Sequence, residues 1–355
     1  MFLYDLFFIS LISPNGAHQT MQMVVFFVLG VLVNKKILLK MKMNILIKNR
    51  IAYIDTARGI VILLMVLGHS RIPQSFADWI FSFHMPFFFI LSGVLTNFDN
   101  STIKSFVYHK IKTLIFPFLL YSICNIIIYP LYGDMDLVHF VEHTVRYGWD
   151  GYALWFVPIL FLSLSIVKLL FRWDHLMIAV GLLVIIGAIL DFLDCQMPWT
   201  LSTVPIASVF VSLGSFFRDK LLRLDKIKRP WFLMTIALCG GAVLSMIHKT
   251  DLAWNHCNPI YITLPAAFLG YIFIMLLSKY IEKSIPDCFS RILCKIGRET
   301  FVFLAFSQSI IKIINATIII SSITKYVMLF VALWVIIVIK NKVKNAYIYN
   351  SHIAS

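Results

Sequence analysis

Two polar residues, Arg58 and His69, lie within an apolar stretch of the sequence. Their side-chain types and their spacing are suited to a chemical role. On an α-helix at about 100° per residue, eleven steps return to within about 20° of the starting direction, so both share a face about 16 Å apart axially. A guanidinium binds anions, and a histidine exchanges protons near neutral pH. A charge facing lipid costs at least about 2.5 kcal/mol. We therefore expect this face, which Asp55 also approaches, to line a protein or watery interior and to act on a substrate.

The composition excludes a soluble domain and a protein with a single membrane anchor. Of 355 residues, 60% are hydrophobic and 14% are charged, and the mean hydropathy is +0.87. These values predict a polytopic membrane protein. The formal net charge of +14 would suggest nucleic acid in a soluble protein. In a membrane protein such charge reports topology instead, so we expect no nucleic-acid partner.

Apolar windows separated by polar turns predict an all-α integral membrane protein, a bundle of about ten transmembrane helices. The windows lie at 55–72, 78–97, 112–131, 152–171, 175–194, 202–217, 231–247, 259–279, 299–321 and 325–339. Within the second, Ser92 and Gly93 are small residues of the kind that lets two membrane helices approach closely.

Basic residues are concentrated in alternate connections, before the first window and after the second, fourth, sixth, eighth and tenth. The connection after the eighth window carries five of them, Lys279, Lys283, Arg291, Lys295 and Arg298. By the positive-inside rule, both ends of the ten-helix core face the cytoplasm of a cell whose inner membrane holds the protein. This orientation puts Arg58 toward the cytoplasm and His69 toward the outer side.

The segments outside the core are predicted to be accessory. Residues 1–40 fit the helix pattern poorly, and 1–50 are interpreted as an N-terminal extension outside the functional fold. Residues 51–340 are predicted to form the transmembrane domain, and 341–355 a cytoplasmic C-terminal tail. The six cysteines are scattered, without a C-x-x-C pair or a nearby histidine ladder. This spacing argues against a metal site, so no metal is expected.

Several sequence strings together resemble the membrane-bound acyltransferase-3 family, and within it the fucose 4-O-acetylase-like branch. The strings are Asp55-Thr56-Ala57-Arg58-Gly59-Ile60, Leu67-Gly68-His69, the run Phe83-His84-Met85-Pro86 continuing to Ser92-Gly93, Lys112 to Pro117, Leu154-Trp155-Phe156-Val157-Pro158 and Ile296-Gly297-Arg298-Glu299-Thr300. Their order and spacing carry the resemblance over residues 51–333, so the transmembrane domain at 51–340 is expected to be acyltransferase-3-like.

The resemblance implies an O-acetyltransferase embedded in the membrane. It would move an acyl group, usually acetyl, from cytoplasmic acyl-CoA to a hydroxyl of a cell-surface polysaccharide or a lipid-linked sugar precursor, and membrane lipids would surround it. The family's arginine, spacer and histidine correspond to Arg58 and His69. Many members also carry a histidine near the ninth helix, where this chain has Gln308, which cannot accept a proton at neutral pH.

The chemistry of O-acylation suggests roles for these groups. Neutral His69 is suited to take the proton of the sugar hydroxyl and return it to the departing thiolate, and an acyl-histidine intermediate is the covalent variant. Arg58 is a candidate to hold a phosphate of coenzyme A. Asp55, one turn away, either forms a structural ion pair with Arg58 or orients it for the donor, and the two roles can coexist.

Two more residues are candidates for substrate binding. His84 is either a second polar group at the site or a cap of the helix that Pro86 kinks. Trp155 either lines the acyl tunnel or packs as an ordinary aromatic residue.

Two other functions remain open at this point. A transporter or flippase for a glycan-related substrate would also place Asp, Arg and His inside the membrane. A non-catalytic member that packs with glycan-synthesis partners would be consistent with Gln308 in the ninth helix. Consumption of acetyl-CoA without a gradient distinguishes the enzyme from both.

Overall fold

A computed structural model describes residues 52–69, 72–99, 101–133, 135–149, 152–171, 176–222, 224, 227, 229–257, 259–317 and 322–353. The predicted extension over residues 1–50 lies outside the described residues, as do the basic residues that precede the first helix. The tail predicted from 341 onward is described only in part, as the end of a helix.

Most of the described residues are helical, and the only β-type pairing among them is an isolated bridge between Asp251 and His256. The α-helices are α1 (Ala52–Gly68), α2 (Gln74–Leu95), α3 (Ile103–Lys110), α4 (Phe116–Ile128), α5 (Leu137–Tyr147), α6 (Phe156–Leu170), α7 (Leu176–Phe192), α8 (Val204–Phe216), α9 (Arg218–Leu222), α10 (Pro230–Ile247), α11 (Ile260–Ser284), α12 (Asp287–Arg298), α13 (Thr300–Thr317) and α14 (Ser322–Ile353). A π-helical turn, Ile111–Ile115, joins α3 to α4.

Seven helical segments within the described residues are long and apolar enough to cross a membrane. They are Gln74–Leu95, Ile103–Leu131, Ala153–Leu170, Pro198–Phe216, Pro230–Ile247, Ile260–Ser284 and Thr324–Lys342. Leu176–Phe192 and Thr300–Ala316 are apolar but shorter, and α1 has 17 residues. These helices confirm the predicted all-α membrane bundle, while the count of ten stays a prediction.

The chain packs as two units, each with its own internal contacts. The smaller contains the described residues from 120 to 142 and from 305 onward. It is held by a buried amide: the side-chain nitrogen of Asn125 donates to the carbonyls of Tyr121, at 2.9 Å, and Ala305, at 3.0 Å. The Ser309 hydroxyl donates to the amide oxygen of Asn125. These bonds satisfy a polar side chain that would be costly to bury alone.

The larger unit contains the described residues from 52 to 119 and from 143 to 304, and it holds every candidate site residue named above except Gln308. In it, α2 and α8 meet through paired glycines. A Cβ at Gly93 would collide with the carbonyl of Val211, and one at Gly214 with the carbonyl of Ile90. The close helix approach predicted at Gly93 is therefore confirmed, since small residues let two backbones touch.

A second pair of glycines joins α1 to α12. A Cβ at Gly59 would collide with the carbonyl of Leu293, and a Cβ at Gly297 with the carbonyl of Asp55. The backbones of the two helices thus touch directly, and residues next to these glycines are held at short range. This contact determines what surrounds the charged end of α1.

Candidate active site

One end of the candidate site is built around the buried carboxylate of Asp55, whose side chain is 3% exposed. Its Oδ1 lies 3.7 Å from Nη1 of Arg58, one turn along α1. Its Oδ2 accepts a hydrogen bond from Nε of Arg298 at 3.0 Å. We call these three residues the arginine end. The predicted pairing of Asp55 with Arg58 is present, and a second guanidinium shares the carboxylate.

Arg298 reaches Asp55 because α12 packs against α1 at Gly297, the residue before it. The hydrogen bond with Asp55 raises the pKa of the Arg298 guanidinium, which secures its charge. The side chain of Arg298 is half-exposed, and that of Arg58 is 29% exposed. Both cations are therefore held by one carboxylate and are still accessible to an anionic ligand.

Helix α11 adds further polar groups beside the arginine end. The Thr56 hydroxyl donates to the carboxylate of Glu282, and Nζ of Lys279 lies 4.4 Å from the ring centroid of Tyr53. These contacts bring a third cation and a second carboxylate to the same end of α1. The net charge of the five ionic groups here is positive, as anion binding requires.

The other end of the site is the ring cluster His69, Phe81 and His84, which we call the histidine end. His69 follows the last residue of α1 and is exposed. Its ring meets Phe81 edge-on, with centroids 5.3 Å apart, and lies 6.4 Å from the ring of His84. Among the described residues, no hydrogen bond holds the ring nitrogens of His69, so ring packing orients it while its nitrogens stay available.

His84 is buried, and its ring is held by the helix that carries it. Nδ1 lies 2.9 Å from the carbonyl oxygen of Ile80. Because a carbonyl oxygen only accepts, Nδ1 carries the proton, and Nε2 of the neutral ring is left as an acceptor. The predicted capping role and the predicted place at the site are thus both compatible with this ring.

The contacts described for Trp155 involve neither the arginine end nor the histidine end. It closes the short helical turn Ala153–Trp155 that leads into α6, and it is buried. Its ring centroid lies 6.4 Å from that of Phe156, which in turn packs 4.7 Å from Phe89 of α2. The contacts described for Trp155 are thus those of an aromatic packing residue, and its role in substrate binding stays a prediction.

Residues 51–340 match the acyltransferase domain family known as acyltransferase 3. The chain belongs to the acyltransferase-3 family. It is therefore a membrane acyltransferase, as the resemblance implied. Comparisons with curated proteins and with solved structures found no match. The fucose 4-O-acetylase-like branch stays a prediction.

For this acyltransferase, the site residues predicted from sequence fall into two groups on the same helix. Asp55 and Arg58 meet at the amino end of α1, and His69 meets His84 at its carboxyl end. Sequence reasoning placed Arg298 among the topology-determining basic residues and missed its bond to Asp55. Arg298 lies inside the family motif at residues 296–300, and this position is the sequence signal that points to a role at the site. Within the described residues, no group of three or more His, Cys, Asp or Glu side chains could hold a metal ion.

Proposed function

We propose that this acyltransferase moves an acetyl group from acetyl-CoA to a hydroxyl of a cell-surface polysaccharide sugar or its lipid-linked precursor. The observation that supports it best is the arrangement of α1, which carries paired arginines at one end and a histidine with available nitrogens at the other. An anion-binding end and a proton-accepting end are the two functions that transfer from acyl-CoA requires.

The donor binds with its phosphates at the arginine end. Arg58 and Arg298 offer guanidinium donors, and Lys279 adds a third positive charge. Asp55 orients both guanidinium groups, so the ion pair and the binding role act together. The concentration of basic residues in α12 favours a cytoplasmic position for this end, where acyl-CoA is available. Both ends of the helical core then face the cytoplasm, in the inner membrane.

The thioester reaches along α1 toward His69. The acceptor hydroxyl attacks the thioester carbonyl carbon while His69 takes the hydroxyl proton, and the carbonyl electron pair moves onto oxygen. The tetrahedral intermediate collapses, the carbon–sulfur bond breaks with its electrons on sulfur, and His69 returns the proton to the thiolate. The products are an acetyl ester and free coenzyme A, and no net proton is gained or lost.

The acceptor binds at the histidine end from the outer side of the membrane. Nε2 of His84 accepts a hydrogen bond from a sugar hydroxyl, because its Nδ1–H is already used by Ile80. Trp155 lines the passage of the acyl group. In this arrangement the acyl group crosses the membrane while the sugar stays outside.

The test is thiol release from acetyl-CoA by the purified protein in detergent, with and without a mixture of host glycans. General-base catalysis contributes about 10²–10⁴-fold, so His69→Ala should lower kcat by about 10³-fold. The matched control is His139→Ala, which removes an exposed histidine from the other unit. It should leave the rate unchanged.

The outcomes separate the competing functions. Loss of thiol release in His69→Ala, with normal rates in His139→Ala, supports the enzyme. A folded wild type that neither binds nor cleaves acetyl-CoA contradicts the proposal and favours the transporter. Binding of acetyl-CoA without cleavage in the presence of the glycan mixture favours a non-catalytic member of the family.

A further inference from the structure

Tyr271, in the middle of α11, carries a buried hydroxyl group without a partner. The residue is 0% exposed, and among the described residues its Oη makes no hydrogen bond. Burying a hydroxyl without a hydrogen bond costs about 1–3 kcal/mol by mutational measurements. Such a group in a native structure calls for an explanation, and a ligand that accepts its hydrogen bond is one.

The position of Tyr271 along α11 puts it beyond the arginine end. Lys279 and Glu282, on the same helix, contact Tyr53 and Thr56 near the start of α1. Tyr271 precedes Lys279 by eight residues, or about 12 Å at 1.5 Å per residue. Helix α11 packs against both α1 and α2. Tyr271 therefore lies on a helix that borders the interior of the larger unit.

Helix α2 fixes the position of Tyr271 from the other side. Its ring packs against Phe87, with centroids 5.2 Å apart, and a Cβ at the preceding residue, Gly270, would collide with Phe83. Phe87 follows His84 by three residues, about 4.5 Å along the helix axis. Tyr271 thus lies between the arginine end and the histidine end.

We propose that Oη of Tyr271 donates a hydrogen bond to the carbonyl oxygen of the acyl thioester and to the oxyanion that forms from it. This inference rests on the proposed function, which brings the thioester past this point toward His69. The attack described above moves a pair of electrons onto that oxygen, and a fixed donor in a dry site stabilises the charge. Tyr271 donates without losing its proton.

Helices α2 and α11 hold the hydroxyl in place before the donor arrives. The glycine at 270 lets α11 approach Phe83 closely, and the ring of Tyr271 is packed against Phe87. A donor held in this way needs little reorganisation when charge develops on the substrate. No backbone carbonyl or side chain of the described residues competes for its proton.

The test compares Tyr271→Phe with Tyr280→Phe in the full-length protein in detergent. Loss of one oxyanion donor costs about 10²–10³-fold in kcat, so Tyr271→Phe should lower kcat for acetyl-CoA cleavage by about 100-fold with an unchanged KM. Because the lost hydroxyl has no partner, the melting temperature should stay equal or rise. Tyr280 is an exposed tyrosine on the same helix, and its variant should match the wild type in every readout.

A spectroscopic readout separates hydrogen bonding from a structural effect. The His69→Ala variant leaves bound acetyl-CoA intact, so its thioester carbonyl can be labelled with ¹³C and observed by infrared spectroscopy. The carbonyl band should lie at lower frequency in His69→Ala than in the double variant Tyr271→Phe, His69→Ala. An unchanged band together with an unchanged kcat overturns the inference and leaves the proposed function standing. If the wild type does not cleave acetyl-CoA, the proposed function fails and this inference fails with it.

Discussion

The arginine end and the histidine end of α1 satisfy their polar groups in different ways. At the arginine end, one buried carboxylate holds two guanidinium groups, and neighbouring residues of α11 form further polar contacts. At the histidine end, His69 is oriented by the rings of Phe81 and His84. Among the described residues, the nitrogens of its own ring have no hydrogen-bond partner.

This difference follows from what each end must do. A binding group must stay charged and in position, and an ion pair with a buried carboxylate achieves both. A proton acceptor must keep a lone pair available, and ring packing orients His69 without occupying either of its ring nitrogens. The comparison predicts that changes at the arginine end alter donor binding and that changes at the histidine end alter the chemistry or the acceptor.

The largest change in donor binding expected in this comparison is that of Arg58→Ala. A hydrogen bond to a charged group contributes about 1.5–3 kcal/mol, and 1.4 kcal/mol is about tenfold in affinity. The KM for acetyl-CoA should therefore rise by about 100-fold, while kcat changes by less than about threefold. Steady-state thiol release in detergent measures both constants.

Arg58→Lys is the matched variant for this measurement, because it keeps the charge and removes the planar fork of donors. It should restore part of the affinity. A lower kcat with an unchanged KM in Arg58→Ala would assign this arginine to the chemical step and remove the distinction between the two ends.

Gly297→Ala tests how the arginine end is assembled. The new Cβ would collide with the carbonyl of Asp55, and overpacking of this kind costs about 1–3 kcal/mol. We expect a lower melting temperature in detergent and a rise in the KM for acetyl-CoA, because Arg298 moves away from Asp55. Thermal unfolding and thiol release measure the two effects.

Gly181→Ala is the control, because a Cβ there meets nothing within 4 Å. It should leave the donor KM unchanged and should stabilise α7, since alanine is favoured over glycine within a helix by about 0.5–1 kcal/mol. Equal effects of the two substitutions would show that contact between α1 and α12 does not support the donor site.

Much of this architecture follows from local sequence. Each predicted apolar window overlaps a described helix, because long apolar runs leave the backbone no alternative to internal hydrogen bonding in a membrane. The shared face of Asp55 and Arg58 follows from helical periodicity alone. The family is also recognisable from the order and spacing of several short motifs along the chain.

The remaining features depend on contacts between distant parts of the chain. The bond between Arg298 and Asp55 joins residues 243 positions apart and requires the glycine contact between two helices. Likewise, the Tyr271 hydroxyl lacks a partner among the described residues because of how α11 packs against its neighbours. No local sequence pattern distinguishes Tyr271 from the other tyrosines. Sequence periodicity does not show which buried polar groups lack a hydrogen-bond partner.

The smallest expected effect concerns His84 and separates the acceptor from the chemistry. His84→Asn keeps a side-chain N–H near the position of Nδ1, which bonds the carbonyl of Ile80, but it removes Nε2. His84→Gln places an amide near the position of Nε2 instead. If Nε2 holds the acceptor, His84→Asn should lower acetyl transfer to the glycan mixture by about tenfold, as expected for the loss of about 1.4 kcal/mol. His84→Gln should lower it less.

Hydrolysis of acetyl-CoA by water provides the internal control for both variants. It uses His69 and the donor site but no sugar, so it should change by less than about twofold. A parallel loss of hydrolysis and transfer in His84→Asn would mean that His84 supports the ring of His69 rather than the acceptor. The histidine end would then be a two-histidine chemical site, and the acceptor would have to be sought at other residues of the larger unit.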